Sequence, residues 1–454
     1  MAGGQAAMEQ ADVVIVGAGL SGMAAARRLE EAGVESVVLL DGRDAPGGRA
    51  LLPDPGVDAV SPGSFFTSTH GAALTGLAGD LGVELGEVEC DTALDDLRMD
   101  EDGEIWASEE NVPRAASWWT RVRDEWILSR LSRLAKGIDF AEPWRSEQAE
   151  ELDAQSVRGW LGSHTFDPES LTFIEEQLIA EAGLPADRIS LLWLLAHIGP
   201  WPIDDAAVRR LDAQALVDAL SDRCSGRIRT GRHVERIEHG ADGARVHGPW
   251  GAIGARRVVL ALCPTDAGRI GIDPLPPSRR RLQRQWPQAD VIRTELVYQR
   301  PFWRNVGLSG QVHFESGIPA FVFDDSPDDS DRGRLIAHTY TFGEGDPLGA
   351  DLAVTDSPAR HRAMLLDNLG RALGPLAAEP LAVVQAGAQA DPYSRAYQSP
   401  AFPGLLTEFG PQLRTPVGPL HWAGTETAEF PFSGTLNGAL TSGRRAAEEV
   451  LREL

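Results

Sequence analysis

Three glycines, Gly17, Gly19 and Gly22, stand in the spacing G-x-G-x-x-G between an apolar run, Asp12 to Val16, and a helical pattern ending near Gly33. Glycine at the first position permits a tight turn, at the second lets backbone approach a pyrophosphate, and at the third lets helix pack on strand. Ser21 lies inside the same turn, and the helix that follows offers N–H groups and a positive dipole end to an anion. A second β run, Val37 to Leu40, delivers Asp41, 19 residues after Gly22. There a carboxylate can accept hydrogen bonds from both hydroxyls of a ribose, and its charge disfavours a 2′-phosphate. Directly after it, DGRDAPGGRA (Asp41 to Ala50) sets Arg43 and Arg49 beside a second glycine pair, Gly47 and Gly48. Two arginines at that point can straddle a pyrophosphate held by the first turn.

The elements that must position these residues are legible in outline. Strand, turn, helix and strand over residues 12–40 form a β-α-β unit. Residues 70–85 read as a helix, with Leu74, Leu77 and Leu81 at helical spacing. From about 111 to 221 the pattern is mostly helical, and Trp118, Val122, Trp126, Leu131 and Leu134 mark one stripe. Short strands separated by glycine follow over 226–262, and DVIRTELVYQ (Asp290 to Gln299) alternates as a strand does. Two strands around an acidic loop are expected over 318–342, and a helix near 356–373. The end reads as a strand, Leu420 to Gly424, then a helix from about Gly434 to Glu453. The fold class is therefore α/β: a Rossmann-type dinucleotide-binding domain with a parallel sheet, interleaved with an α+β domain of mixed sheet plus helices. The expected division puts residues 1–85, 213–288 and 405–454 in the first domain. Residues 86–212 and 289–404 form the second, helical over 111–212 and sheet over 289–404.

Composition narrows the function. With 454 residues the chain holds two to three cores. Its 67 acidic residues against 42 basic ones give a formal charge of −25, which disfavours nucleic acid and anionic lipid as partners. Cys90, Cys224 and Cys263 lie far apart, without the spacing of a zinc site or a disulfide framework. The opening MAGGQAAMEQ has neither the basic nor the apolar stretch of a signal peptide, and no window is apolar enough to span a membrane. A cytoplasmic location is expected. Lys136 is the only lysine.

The glycine-glycine-arginine continuation after Asp41 resembles the FAD-binding start of the flavin amine oxidase superfamily, and further segments are similar to that family in the same order. LHWAGTETAEFPFSGTLNGALTSGRRAAEEVL (Leu420 to Leu451) looks like its closing motif. The resemblance implies that Gly424 and Glu426, with Gly434, Thr435 and Leu436 at the start of the last helix, cradle the flavin. SLLWLLAHI (Ser190 to Ile198) is similar to a helix of its substrate domain, and DVIRTELVYQRPFWR (Asp290 to Arg304) to the strand passing the flavin on the substrate side. HVERI (His233 to Ile237) resembles the short strand whose valine, here Val234, contacts adenine. DPYSRAYQ (Asp391 to Gln398) falls where the family places an active-site tyrosine, here Tyr397. Gly434 and Gly438 would let the last helix approach a flat ring, and a helix N-terminus there would stabilise the charge that reduction places on it.

The resemblance also marks departures. Most members carry a lysine on the 290–299 strand, bridged through water to flavin N5; here the matching residue is Arg293. Arginine cannot act as a base, but its fork can order a water or grip a carboxylate, carbonyl or phosphate. Pairing of Arg293 with a nearby acid such as Glu295 is the bland alternative. The family frames the amine between two aromatic rings; Tyr397 matches one, while Thr435 occupies the other position, with Phe432 three residues earlier. Near the ring, AVSPGSFF (Ala59 to Phe66) carries about two extra residues, and Gly63 and Ser64 are the best matches to the usual glycine pair. No cysteine lies near Tyr397, so FAD is expected to be held non-covalently.

The resulting expectation is an FAD-dependent oxidase that moves a hydride from the carbon of a C–N bond to flavin N5, giving an imine, with O2 reduced to H2O2. The missing lysine and half-open cage favour a bulky secondary amine or an amide of secondary metabolism. An L-amino-acid oxidase, a C–C desaturase of the same fold and a non-catalytic flavin-binding protein stay open. The expected partners are a small amine-type substrate and O2, with a homodimer as a conceivable assembly.

Overall fold

A computed structural model describes residues 8–51, 63–67, 71–87, 94–100, 102–107, 125–164, 178–179, 182–198, 208–224, 226–287, 290–315, 318–326, 331–341, 357–386, 393 and 400–454. Its largest sheet has eight strands. The first strand, Glu9–Val16, lies at the centre, parallel to Val37–Leu40 on one side and to Gly251–Ala261 on the other. Val37–Leu40 continues into Ile228–Arg229, again in parallel. Gly251–Ala261 is long enough to serve two neighbours: its first half forms a hairpin with Gly243–Gly248, and its second half runs parallel to Leu420–Ala423. Segments far apart in the chain thus meet at one sheet.

Burial explains why the first strand reads as a continuous apolar run rather than as alternation. Val13 and Ile15 pack under the helices Leu20–Glu31, Ala213–Cys224 and Leu436–Leu451. Val14 and Val16 pack into the opposite core with Val246, Ile253 and Trp422. A central parallel strand buried on both faces has no polar side to show. Each of these side chains contributes roughly 1.5–3 kcal/mol by leaving water.

A seven-stranded sheet forms the second body, in the order Ala382–Ala386, Asp290–Tyr298, Gly333–Thr341, Phe321–Asp324, Leu308–Phe314, Asp95–Met99 and Ile105–Ala107. One face of it packs on the helix Pro358–Leu373 through Leu296, Val312, Leu335, Ala337, Leu365 and Leu369. The helical body is built around Leu191–Ile198, buried along its whole length, with Ile127, Leu131, Trp160 and Phe409 against it.

Several expectations need correction. Residues 208–212 are not helical: Val208–Asp212 is a strand, the centre of a three-stranded sheet with Gly63–Thr67 and Leu85–Glu87. The last helix begins at Leu436 rather than Gly434 and ends at Leu451. The strand expected at His233 begins at Arg236, so Val234 precedes it. Of the aromatic stripe, Trp118 and Val122 lie outside the described residues.

Candidate functional site

The glycine turn is built as its spacing requires. Gly17 sits at φ +102°, with Ala261 carbonyl oxygen 2.7 Å from where a Cβ would project, so no other residue fits. At Gly22 a Cβ would lie 1.9 Å from the Gly17 carbonyl oxygen, which is the helix-on-strand contact. Gly19 is the N-cap of the helix Leu20–Glu31 and, having no side chain, leaves the first-turn N–H groups without a capping side chain from that position. Above Gly19 the nearest atom to a virtual Cβ is Gly48 Cα at 3.9 Å. Gly47 donates its N–H to the Ala18 carbonyl, and Gly19 and Gly47 form a parallel bridge. The two glycine turns therefore meet backbone to backbone at a helix N-terminus, with the Arg43 guanidinium beside Gly48, a cradle that fits a pyrophosphate. Ser21 is buried, and its carbonyl lies 2.1 Å from a virtual Cβ on Gly443, so here the first and last helices cross in contact.

Asp41 occupies the end of the second strand and is buried. One carboxylate oxygen accepts the Ala18 N–H at 2.8 Å and the other the Arg43 N–H at 2.9 Å. Asp41 therefore staples the glycine turn to its own turn, at the strand end where a ribose would lie. Arg43 is half-buried and its carbonyl accepts the Gly231 N–H. Val234 is buried beside this end of the sheet. Tyr393 reaches the same corner: its ring lies against Gly42 and 5.5 Å from that of His233. Tyr397 is outside the described residues.

Arg49 departs from the straddling arrangement. Its guanidinium grips Glu426 with both prongs, at 2.6 and 3.1 Å, and Glu426 is 1% exposed. Burial opposes the arginine's charge, but the attraction and hydrogen bonds of Glu426 outweigh it, and the pKa of Arg49 is raised. The pair ties the second glycine turn to the AGTE segment, 377 residues away. Gly424, at φ +114°, turns this segment close under the Leu262 carbonyl. Next door, Cys263 donates to Asp266 at 3.3 Å, and burial pushes its thiol well above the ordinary range. Burial likewise pushes Cys224 up to about 11.

The start of the last helix divides its labour differently from expectation. Thr435 is the N-cap: its hydroxyl accepts the Gly438 N–H at 3.0 Å and donates to the Phe432 carbonyl at 2.8 Å. Its oxygen is engaged in capping, not in walling a cage. Gly438 serves close packing, since a Cβ there would fall 1.9 Å from the Phe432 carbonyl oxygen. Gly434, at φ +86°, has no atom of the described residues within 4 Å of a virtual Cβ. Leu436 packs on the core under the first helix, while Asn437 accepts the N–H groups of Ala73 and Leu74. Gly63 and Ser64 begin the strand paired to Val208–Asp212.

Arg293 lies on Asp290–Tyr298, in register with His338 and Ala386 on the flanking strands. The alternative pairing with Glu295 is not formed: Glu295 sits 3.2 Å from Arg334 instead. Among the described residues Arg293 makes no hydrogen bond or ion pair, and its Nε is buried without a partner. Burial, then the Arg293 charge, push His338 down to about 3, so this imidazole is neutral. The sequence reading missed Arg334, His338 and Arg210. Alternation along GRLIAHTYT does place Arg334, Ile336, His338 and Tyr340 on one face, which was the available signal.

The flavin containing amine oxidoreductase family profile matches residues 20–451. A putative flavin-containing monoamine oxidase, AofH, of Mycobacterium tuberculosis is 31% identical over 97% of this chain and 96% of its own length. Putrescine oxidase of Kocuria rosea is 28% identical over 99% of this chain and 96% of its own. Among solved structures, putrescine oxidase bound to putrescine superposes with a TM-score of 0.80 at 26% identity, covering 98% of this chain and 99% of that one. Cyclohexylamine oxidase from Brevibacterium oxydans does so with the same values. The chain belongs to the flavin-containing amine oxidoreductase family, whose members are FAD-dependent enzymes acting on C–N bonds of amines.

Proposed function

We propose that this enzyme oxidises an amine to an imine at the C–N bond and passes the electrons to O2, releasing H2O2. The single observation carrying the reading is the joined cradle: two glycine pairs at a helix N-terminus, tied by Arg49 and Glu426 to the segment leading to Gly434. Bound FAD supplies the hydride acceptor. The chain's own residues do the rest. The first helix and Gly19 receive the pyrophosphate, Asp41 the ribose, and Val234 lies toward the adenine. Gly424, Gly434, Thr435 and Leu436 border the ring, and Phe432, Tyr397 and Arg293 its substrate side. Residues 1–85, 213–288 and 405–454 act as the cofactor domain, and 86–212 with 289–404 as the substrate domain. Arg293 stays protonated, so it positions substrate or water and does not abstract a proton. The narrower substrate class is a bulky secondary amine or amide of secondary metabolism, and the site of action is the cytoplasm. Among the described residues no helix is long and apolar enough to cross a membrane.

FAD is held without a covalent bond: no cysteine lies near Tyr397 in the sequence, and the two cysteines among the described residues, Cys224 and Cys263, are buried thiols whose pKa values burial raises. The test is anaerobic mixing of the purified yellow protein with a panel of primary, secondary and cyclic amines, followed by peroxide assay in air. Flavin reduction by at least one amine, with peroxide formed on aeration, is expected. A flavin that no amine reduces would refute the reading.

A further inference from the structure

On the sheet face turned away from Pro358–Leu373, charges are gathered where few belong. Arg334 is 1% exposed and lies 3.2 Å from Glu295 and 3.2 Å from Asp325, both of them buried. Arg210 approaches Asp325 at 3.7 Å from the strand Val208–Asp212. Both carboxylates therefore already have guanidinium neighbours. Arg293 lies on the same face, one register pair from Glu295 and Ile336, and among the described residues it is in no ion pair. His338 beside it is neutral and brings no anion. This half-buried guanidinium has an orphaned Nε, acts on Arg334 as a like charge, and has no carboxylate within 4 Å among the described residues.

Its surroundings place that guanidinium at the expected reaction site. Val291 and Tyr340, the next register pair along this face, pack in one core with Phe430, two residues before Phe432. At the other end Arg210 belongs to the strand paired with Gly63 and Ser64. The face thus runs between the entry to the last helix and the strand of Gly63, the two segments assigned above to the ring. We propose that Arg293 grips a carboxylate of the substrate, so that the amine oxidised is a carboxylate-bearing one. This rests on the amine-oxidase reading for the chemistry, but not for the binding. The planar fork of Arg293 matches two carboxylate oxygens, and one monoanion balances the local charge.

The test uses the holoenzyme and paired probes that differ only in charge: benzoate against benzamide, and phenylacetate against phenylacetamide. Binding is read from perturbation of flavin absorbance and from the shift in Tm. Each acid is expected to bind at least about tenfold tighter than its amide, as for a charge-assisted two-pronged contact. R293Q should lose that preference, with acid binding falling further than amide binding and flavin content unchanged, and R293K, keeping charge without the fork, should fall between. Acid and amide binding alike, neither acid binding, or acid preference surviving within about threefold in both variants would overturn the proposal. Preference that follows Arg293 while no amine reduces the flavin would instead refute the amine-oxidase reading and leave the carboxylate grip standing. Amine reduction without acid preference would do the reverse.

Discussion

Glu426→Ala would leave the Arg49 guanidinium in its buried position without its two-pronged partner. The contacts are 2.6 and 3.1 Å, with the Glu426 side chain 1% and that of Arg49 28% exposed. Unit charges about 4 Å apart attract by about 4 kcal/mol at an effective dielectric constant near 20. The exposed part of Arg49 screens some of this, so a coupling of about 3 kcal/mol is expected. Glu426→Ala and Arg49→Met should each cost about 3–5 kcal/mol, because each strands the other group. The double variant should cost little more than either single one, since no charge is then left unmatched. The assay is a double-mutant cycle on holoprotein, with urea unfolding followed in parallel by circular dichroism and by release of flavin fluorescence. Both probes should report the same coupling, because the pair joins Gly48–Ala50 to Thr425–Thr427 across the cradle. A coupling below about 1 kcal/mol, the value of an exposed pair, would refute the reasoning. It would mean that Arg49 is free to serve a phosphate and that Glu426 holds nothing.

Asp41→Ala removes the acceptor of the Ala18 and Arg43 N–H groups, each bond worth about 1.5–3 kcal/mol, and should strip FAD on dialysis. Full flavin occupancy after dialysis would show that Asp41 neither shapes the turn nor meets the ribose. Thr435→Ala should lower stability by about 1 kcal/mol through loss of the helix cap, with Thr435→Ser restoring it, as read by thermal unfolding. A larger fall in amine turnover than in stability would instead place the hydroxyl on substrate. Burial lowers the pKa of His361, from an ordinary 6.5 to about 4. The unfolded chain therefore takes up a proton that the folded one refuses, and stability declines as pH falls from about 6.5 toward 4, by at most about 3 kcal/mol. His361→Asn should flatten part of that slope in a Tm-against-pH series, the remainder belonging to His338; an unchanged slope would count against the assignment.

Spacing and local chemistry carried the first and last fifty residues a long way. Gly17, Gly19 and Gly22 between an apolar run and a helical pattern can do little else than turn tightly, because two of the three positions exclude a Cβ on backbone grounds alone. Val37–Leu40, Leu420–Ala423 and the helix Pro358–Leu373 were legible for a similar reason: they are regular, and their flanks are chemically abrupt. The strand Val208–Asp212 was not, since VRRLD shows neither clean alternation nor a turn signal at its end. It is a strand because Gly63–Thr67 and Leu85–Glu87 arrive on either side of it. The site divides along the same line. Spacing made Asp41 and Arg49 candidates, and the family resemblance made Arg293 one. Partnership was decided by long-range packing: Arg49 met Glu426 from the far end of the chain, Glu295 met Arg334 across the sheet, and Thr435 turned its hydroxyl to its own helix. A charged side chain's role depends on which counter-charge lies within about 4 Å. Sequence fixes that neighbour only when it lies in the same turn or strand, and here the neighbours came from elsewhere.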